Sequence, residues 1–83
     1  MHLLYFAWVR EKTGIAAEDV ELPAGIATVG DLMAWLKMRG EGFADAFARP
    51  DVVRAAVDQT HARRDASLEG AREVAFFPPV TGG

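Results

Sequence analysis

An 83-residue chain that is 51% hydrophobic and 25% charged has the balance of one small globular domain, which excludes extended disorder and a multidomain arrangement. Its formal net charge of −3, with Arg and Lys scattered along the chain, excludes the basic stripe of a nucleic-acid binder. The absence of cysteine rules out disulfides, thiol nucleophiles and thiolate metal sites, so the core must come from packing alone and no sulfur can be carried on a cysteine.

In chain order, Leu3 to Val9 is rich in strand formers, and the polar Arg10 to Gly14 that follows offers a glycine-bearing turn, which together predict strand one leading into a hairpin. That run is too short to span a membrane and no signal-peptide anatomy precedes it, so a soluble, cytoplasmic protein is expected. The return strand is expected over Asp19 to Leu22, closed by Pro23-Ala24-Gly25. Thr28 then caps the clearest helix, with Asp31 three residues on and Val29, Leu32, Met33 and Leu36 at helical spacing; Gly40 supplies a stop. Phe43 and Phe47, at i and i+4 ahead of Pro50, predict a short helical turn pinned to the core. Val52 to Gln59 reads as strand three, Thr60 to Arg63 as a short strand, Ser67 to Gly70 as a turn and Arg72 to Phe77 as the last strand. His2 and His61 lie far apart without ligand-spaced neighbours, so no metal site is expected. This order suits an α+β domain over residues 1–83, one mixed sheet of about five strands wrapped around one main helix, the β-grasp or ubiquitin-like arrangement.

Alternation adds a functional clue. In strand one Leu3, Tyr5, Ala7 and Val9 share one face while Leu4, Phe6 and Trp8 share the other, and in the last strand Val74 and Phe76 oppose Ala75 and Phe77. A single helix covers only one face, so the other is expected to be an apolar partner surface.

The chain ends Phe76-Phe77-Pro78-Pro79-Val80-Thr81-Gly82-Gly83. The prolines withhold ladder hydrogen bonds and favour an extended backbone, while two glycines without Cβ can thread a narrow channel. A strand therefore passes into a projecting tail, residues 79–83, whose last four residues reach roughly 13 Å at ~3.3–3.6 Å each. The terminal carboxylate is the expected reactive group.

Tyr5-Phe6-Ala7, Val9-Arg10-Glu11 with Gly14, the Thr28-Val29 helix start, Ala56 to Thr60 and, above all, Glu73 to Gly83 together resemble the sulfur-carrier (small) subunits of molybdopterin synthase over nearly the whole chain. The sequence departs from that pattern at Asp58, where the family usually has Asn, at Gly70-Ala71-Arg72-Glu73, and at His61, a position often aliphatic. The resemblance implies parallel first and last strands at the sheet centre. It also implies a subunit that is not catalytic alone: a separate ATP-dependent activating enzyme adenylates Gly83, a persulfide donor converts it to a thiocarboxylate, and the tail (Pro78, Pro79, Val80, Thr81, Gly82) docks in a large subunit. There the thiocarboxylate gives sulfur to cyclic pyranopterin monophosphate to build a dithiolene, in a heterotetramer whose large subunits supply the acid–base groups. No cofactor is expected on this chain, and neither nucleic acid nor membrane is an expected partner. Phe6 and Phe77 are the expected docking anchors, with Leu4, Trp8 and His61 as neighbours. Carriers for thiamine or cysteine synthesis, a ubiquitin-like modifier forming isopeptide bonds, and a plain interaction domain are the alternatives.

Overall fold

β1 (His2–Tyr5) and β5 (Glu73–Phe77) run parallel at the centre of the sheet, in the register His2↔Glu73 to Tyr5↔Phe76. The structure, a computed structural model, describes residues 1–79. β2 (Ala17–Asp19) flanks β1 antiparallel, and β3 (Arg54–Val57) and β4 (Thr60–Ala62) continue the sheet beyond β5, giving the order β2-β1-β5-β3-β4. Three helices complete the chain, α1 (Ala7–Thr13), α2 (Val29–Lys37) and α3 (Glu41–Ala46). This is the expected β-grasp.

α2 follows the sequence signals closely. The Thr28 hydroxyl accepts from the Asp31 N–H at 3.1 Å while the Asp31 carboxylate accepts from the Thr28 and Ala27 N–H groups at 3.1 and 3.0 Å, a complete capping box. Those backbone bonds, that from Ala27 foremost, hold the Asp31 pKa below the usual carboxylate range. Val29, Leu32, Met33 and Leu36 all turn into the core, where they meet Leu3 and Tyr5 of β1, Ala55 of β3 and Val74 and Phe76 of β5. Gly40, at φ 144°, does not stop α2, which ends at Lys37; it serves as the N-cap of α3. The Phe43/Phe47 pair behaves as its spacing predicts. Phe47 is buried and packs edge-to-face on Phe76 at 5.1 Å, and half-buried Phe43 does the same on Tyr5 at 5.9 Å.

The segment after Tyr5 departs from expectation. The strand does not run on to Val9: Phe6 is extended, Ala7 takes φ 51°, and the chain turns into α1, so the expected hairpin loop at Arg10 to Gly14 is the body and cap of a helix. Ala7, Arg10, Glu11 and Lys12 are good helix formers, the two cations lie in the last turn where the helix dipole favours them, and Gly14 closes it at φ 83° with its N–H donating to the Arg10 carbonyl at 2.8 Å. Apolar content alone does not separate strand from helix here, because a short apolar run suits either; in the helix Val9 is fully buried. Contact with α3 decides it. A Cβ on Gly42 would collide with the Lys12 carbonyl oxygen, so the two helices approach backbone to backbone, and Lys12 pairs with Asp45 at 3.0 Å beside that contact. The helix consumes the residues assigned to the hairpin, and β2 begins at Ala17, two residues ahead of the expected Asp19.

One polar network ties the sheet edge to the helices. The Tyr5 hydroxyl donates to Glu18 at 2.7 Å, and Arg39 donates to both Glu18 carboxylate oxygens at 2.6 and 2.9 Å while its guanidinium lies 4.7 Å from the Phe43 ring centroid and 5.2 Å from that of Trp35. Burial, reinforced by the Glu18 carboxylate, pushes the Tyr5 phenol well above its ordinary value. The Arg39 hydrogen bonds hold Glu18 below its own. Trp35 is thereby a packing residue under an arginine.

Gly42→Ala tests the helix contact. An exposed helix would gain about 1 kcal/mol from this change, whereas collision with Lys12 is expected to cost about 1–3 kcal/mol, a fall of about 4–8 °C in melting temperature per kcal/mol for a domain of this size. A thermal melt followed by circular dichroism reads the sign.

Candidate functional site

Residues paired across neighbouring strands share a face, so the register defines the surface opposite the helices. Leu4 pairs with Ala75, Ala75 with Ala56, and Ala56 with His61, which lays one row across the sheet with two alanines at its centre. None of the four belongs to the core cluster, although their neighbours Leu3, Tyr5, Ala55, Val74 and Phe76 do. The two apolar faces read from alternation are therefore real in β1 and β5, and no helix covers the second.

The next row carries the aromatics. Phe77 pairs with Arg54 and stands edge-to-face with His61 at 5.4 Å, half-buried between the strands. Phe6 follows Tyr5 in the parallel register, donates its N–H to the Phe76 carbonyl at 3.0 Å and remains 48% exposed. Its position follows from the turn at Ala7, which removes the chain from the sheet and leaves the Phe6 ring at the end of β1. The result is a shallow apolar platform, flat at Ala56 and Ala75, with Leu4 along it and Phe6, Phe77 and His61 at the end where Pro78 and Pro79 lead away. Alternation within the first and last strands does not reveal the contribution of Ala56, whose pairing with Ala75 is a tertiary fact.

Trp8 does not join them. It lies on α1, half-buried, with the Lys12 ammonium 5.8 Å from its ring centroid, beside a small cleft shared with Ala48, Arg49 and Val52. Its assignment to the face of Leu4 and Phe6 depended on the strand continuing past Tyr5, and fails with it. The expected tail residues Val80, Thr81, Gly82 and Gly83 lie outside the described residues.

Asp58 holds the frame of this surface. Strand three was expected to run through Gln59, but β3 ends at Val57, and Asp58 and Gln59, at φ 48° and 71°, form the two-residue reversal into β4 that paired positive φ values favour. Asp58 Oδ1 accepts from the Arg72 and Glu73 N–H groups at 3.0 Å each, and the Asp58 N–H donates to the Glu73 carbonyl at 2.9 Å. The hairpin tip thus fixes the start of β5, whose other end carries the tail. An Asn carbonyl oxygen can accept the same two bonds, so Asp is a natural substitute at a position the family usually gives to Asn.

Among the described residues no three His, Asp or Glu side chains converge on a point suited to a metal ion, and no helix is long and apolar enough to cross a membrane. Among the described residues the site is a shallow apolar platform beside Pro78 and Pro79, with no cluster of acid–base side chains.

Comparisons with known proteins agree with this geometry. Residues 3–83 match the model described as the ThiS family. The chain is 32% identical over 83 residues to the molybdopterin synthase sulfur carrier subunit of Haemophilus influenzae, covering 100% of this chain and 99% of the relative. It is 41% identical over 81 residues to the protein of the same name from Escherichia coli, covering 98% and 96%. Among solved structures, SAMP1 from Haloferax volcanii superposes with a TM-score of 0.71 at 27% identity, covering 100% of this chain and 98% of that one. A Pyrococcus furiosus protein provisionally assigned as molybdopterin converting factor, subunit 1, superposes with a TM-score of 0.70 at 32% identity, covering 95% of each.

Asp58→Ala is expected to lower stability by about 1–3 kcal/mol, through loss of two hydrogen bonds to a carboxylate and a left-handed backbone that alanine tolerates poorly. Asp58→Asn is expected to stay within about 1 kcal/mol of the parent, as read by chemical denaturation of the three proteins.

Proposed function

Because the chain belongs to the ThiS family, with molybdopterin synthase sulfur carrier subunits among its relatives, we propose that it is the sulfur-carrying subunit of such a synthase and that Gly83 bears the sulfur. The observation that carries this reading is the parallel β1–β5 pairing, which sends Pro78 and Pro79 off the end of the sheet beside an uncovered apolar platform. A partner that grips Phe6, Phe77 and Leu4 is thereby placed to receive whatever the tail carries.

The chemistry follows from the group at the end. An α-carboxylate has a reference pKa of about 3.3–3.7 and is ionised at neutral pH, so it is a poor acyl donor until its oxygen is made a good leaving group. An activating enzyme supplies this by transferring AMP from ATP to the Gly83 carboxylate with release of pyrophosphate. A persulfide then displaces AMP, and reductive cleavage of the new sulfur–sulfur bond by a thiol leaves the Gly83 thiocarboxylate. This chain has no cysteine, so persulfide and thiol both come from other proteins. In the large subunit the thiocarboxylate sulfur forms a carbon–sulfur bond with cyclic pyranopterin monophosphate as a carbon–oxygen bond at the same carbon breaks and its oxygen departs, and hydrolysis of the resulting thioester returns Gly83 as carboxylate and leaves the sulfur on the product; each dithiolene takes two such transfers. Gly82 contributes by lacking a side chain where the tail enters the partner.

The direct test is a single turnover. The protein is prepared as the Gly83 thiocarboxylate and mixed with a molybdopterin synthase large subunit and cyclic pyranopterin monophosphate. Dithiolene product with stoichiometric return of Gly83 to carboxylate is expected. Intact thiocarboxylate beside a large subunit that is active with its own carrier would reassign the chain to another sulfur pathway. Phe77→Ala is expected to weaken binding to the large subunit by about 2 kcal/mol, roughly 30-fold, as aromatic anchors do, with the melting temperature little changed because Phe77 lies outside the core cluster. Calorimetric titration and a thermal melt separate the two effects.

A further inference from the structure

A groove of about 710 Å3 wraps around the β4 edge, from the end of the platform at Arg54, His61 and Phe77 to the N-terminal half of α2 and the segment that leads into β3. Val29, Met33, Val53 and Ala55 beneath it belong to the core, and the apolar surface it offers comes from the partly exposed Pro50, Ala62 and Phe77. Its rim is cationic: Arg54, Arg63 and Arg64 line it, and a smaller cleft that shares Met33, Pro50 and Arg64 extends it along α2 to Lys37. The one carboxylate in the lining, Asp51, is 3.9 Å from the guanidinium of Arg49. Arg54, Arg63 and Arg64 are exposed, and none makes an ion pair among the described residues.

This concentration of positive charge stands out in a chain whose formal net charge is −3, since the remaining surface must be more acidic still. Unpaired arginines around an apolar surface match a ligand with carboxylates flanking apolar side chains. A long polyanion such as RNA would extend beyond the groove onto the acidic remainder and be repelled. β4 is also the edge strand of the sheet, so its outer side offers main-chain groups to an extended segment.

We propose that this groove is a docking site for an acidic, extended segment of a partner protein, its apolar side chains over Pro50 and Ala62 and its carboxylates on Arg54, Arg63 and Arg64. The groove meets the platform at His61 and Phe77, which border both. A partner can therefore hold the groove and the tail exit at once, and the acidic segment serves as a second anchor. The inference rests on this surface and is independent of which sulfur acceptor the tail serves.

The test uses the full-length 15N-labelled chain titrated with an alternating glutamate–leucine octapeptide. The same peptide with lysine for glutamate and a thymidine octanucleotide are run in parallel. Saturable amide shifts concentrated at Val29, Met33, Ala62, Arg63 and Arg64 are expected with the glutamate peptide only, weakening as salt is raised because screening shortens the reach of the arginines. Arg63→Glu/Arg64→Glu is expected to weaken binding by at least ~10-fold. Should that variant fail to fold, Arg63→Gln/Arg64→Gln is read the same way with a smaller loss. Shifts centred on Leu4 and Ala75, affinity unchanged by the arginine substitutions, absence of saturable binding, or equal or tighter binding of the octanucleotide at the same residues would each overturn the proposal, the last in favour of a nucleic acid.

Discussion

The parallel pairing of β1 with β5 is the contact on which the rest of the molecule depends. Parallel neighbours need a long crossover, and here the crossover is almost the whole protein, since β1 begins at His2 and β5 ends at Phe77. Pairing these two strands brings the chain's beginning and the approach to its end together and encloses α2 and α3 in between. It also stacks Tyr5 on Phe76 with ring centroids 6.1 Å apart, the aromatic centre against which Phe43 and Phe47 pack. Because that closure is non-local, its entropic cost precedes its reward. Local devices limit how far the intervening segments must search, notably the α2 capping box and the reversal at Asp58-Gln59 between β3 and β4.

The same pairing makes the sheet two-sided. Alternation sends Leu3, Tyr5, Val74 and Phe76 to the helices and Leu4, Ala75 and Phe77 away from them, so one pair of strands supplies both the core and the uncovered apolar platform. Substitutions on the two sides should therefore divide cleanly between stability and binding. α1 shapes the outcome as well. By turning at Ala7 it carries Trp8 and Val9 off the sheet, restricting the exposed apolar surface to a compact platform beside the tail. A strand continuing to Val9 would have presented a longer apolar edge, a liability for a small domain.

Much of this was legible beforehand because it is local. Thr28 and Asp31, the spacing from Val29 to Leu36, and Phe43 with Phe47 are each written within a few residues, and the structure bears each of them out. The errors fall where one stretch of sequence suits two structures. Leu3 to Val9 satisfies strand propensity, yet its second half follows helix propensity once α3 is near enough for Gly42 to admit it. Asp58-Gln59 lacks the glycine that usually announces a tight hairpin, so the reversal was hidden until the β3–β4 pairing required it.

The sequence by itself determined the fold class, the main helix and its cap, and a strand that passes through two prolines to a diglycine end, because these depend on covalent restraints and on contacts between near neighbours. Only the tertiary structure decided that Trp8 leaves the platform and that Ala56 completes it. The same holds for Arg54, Arg63 and Arg64, which line one groove above Val29 and Met33. Each of these outcomes is set by which strands and helices lie side by side, and that is a property of distant segments packed together, which no local run of residues encodes.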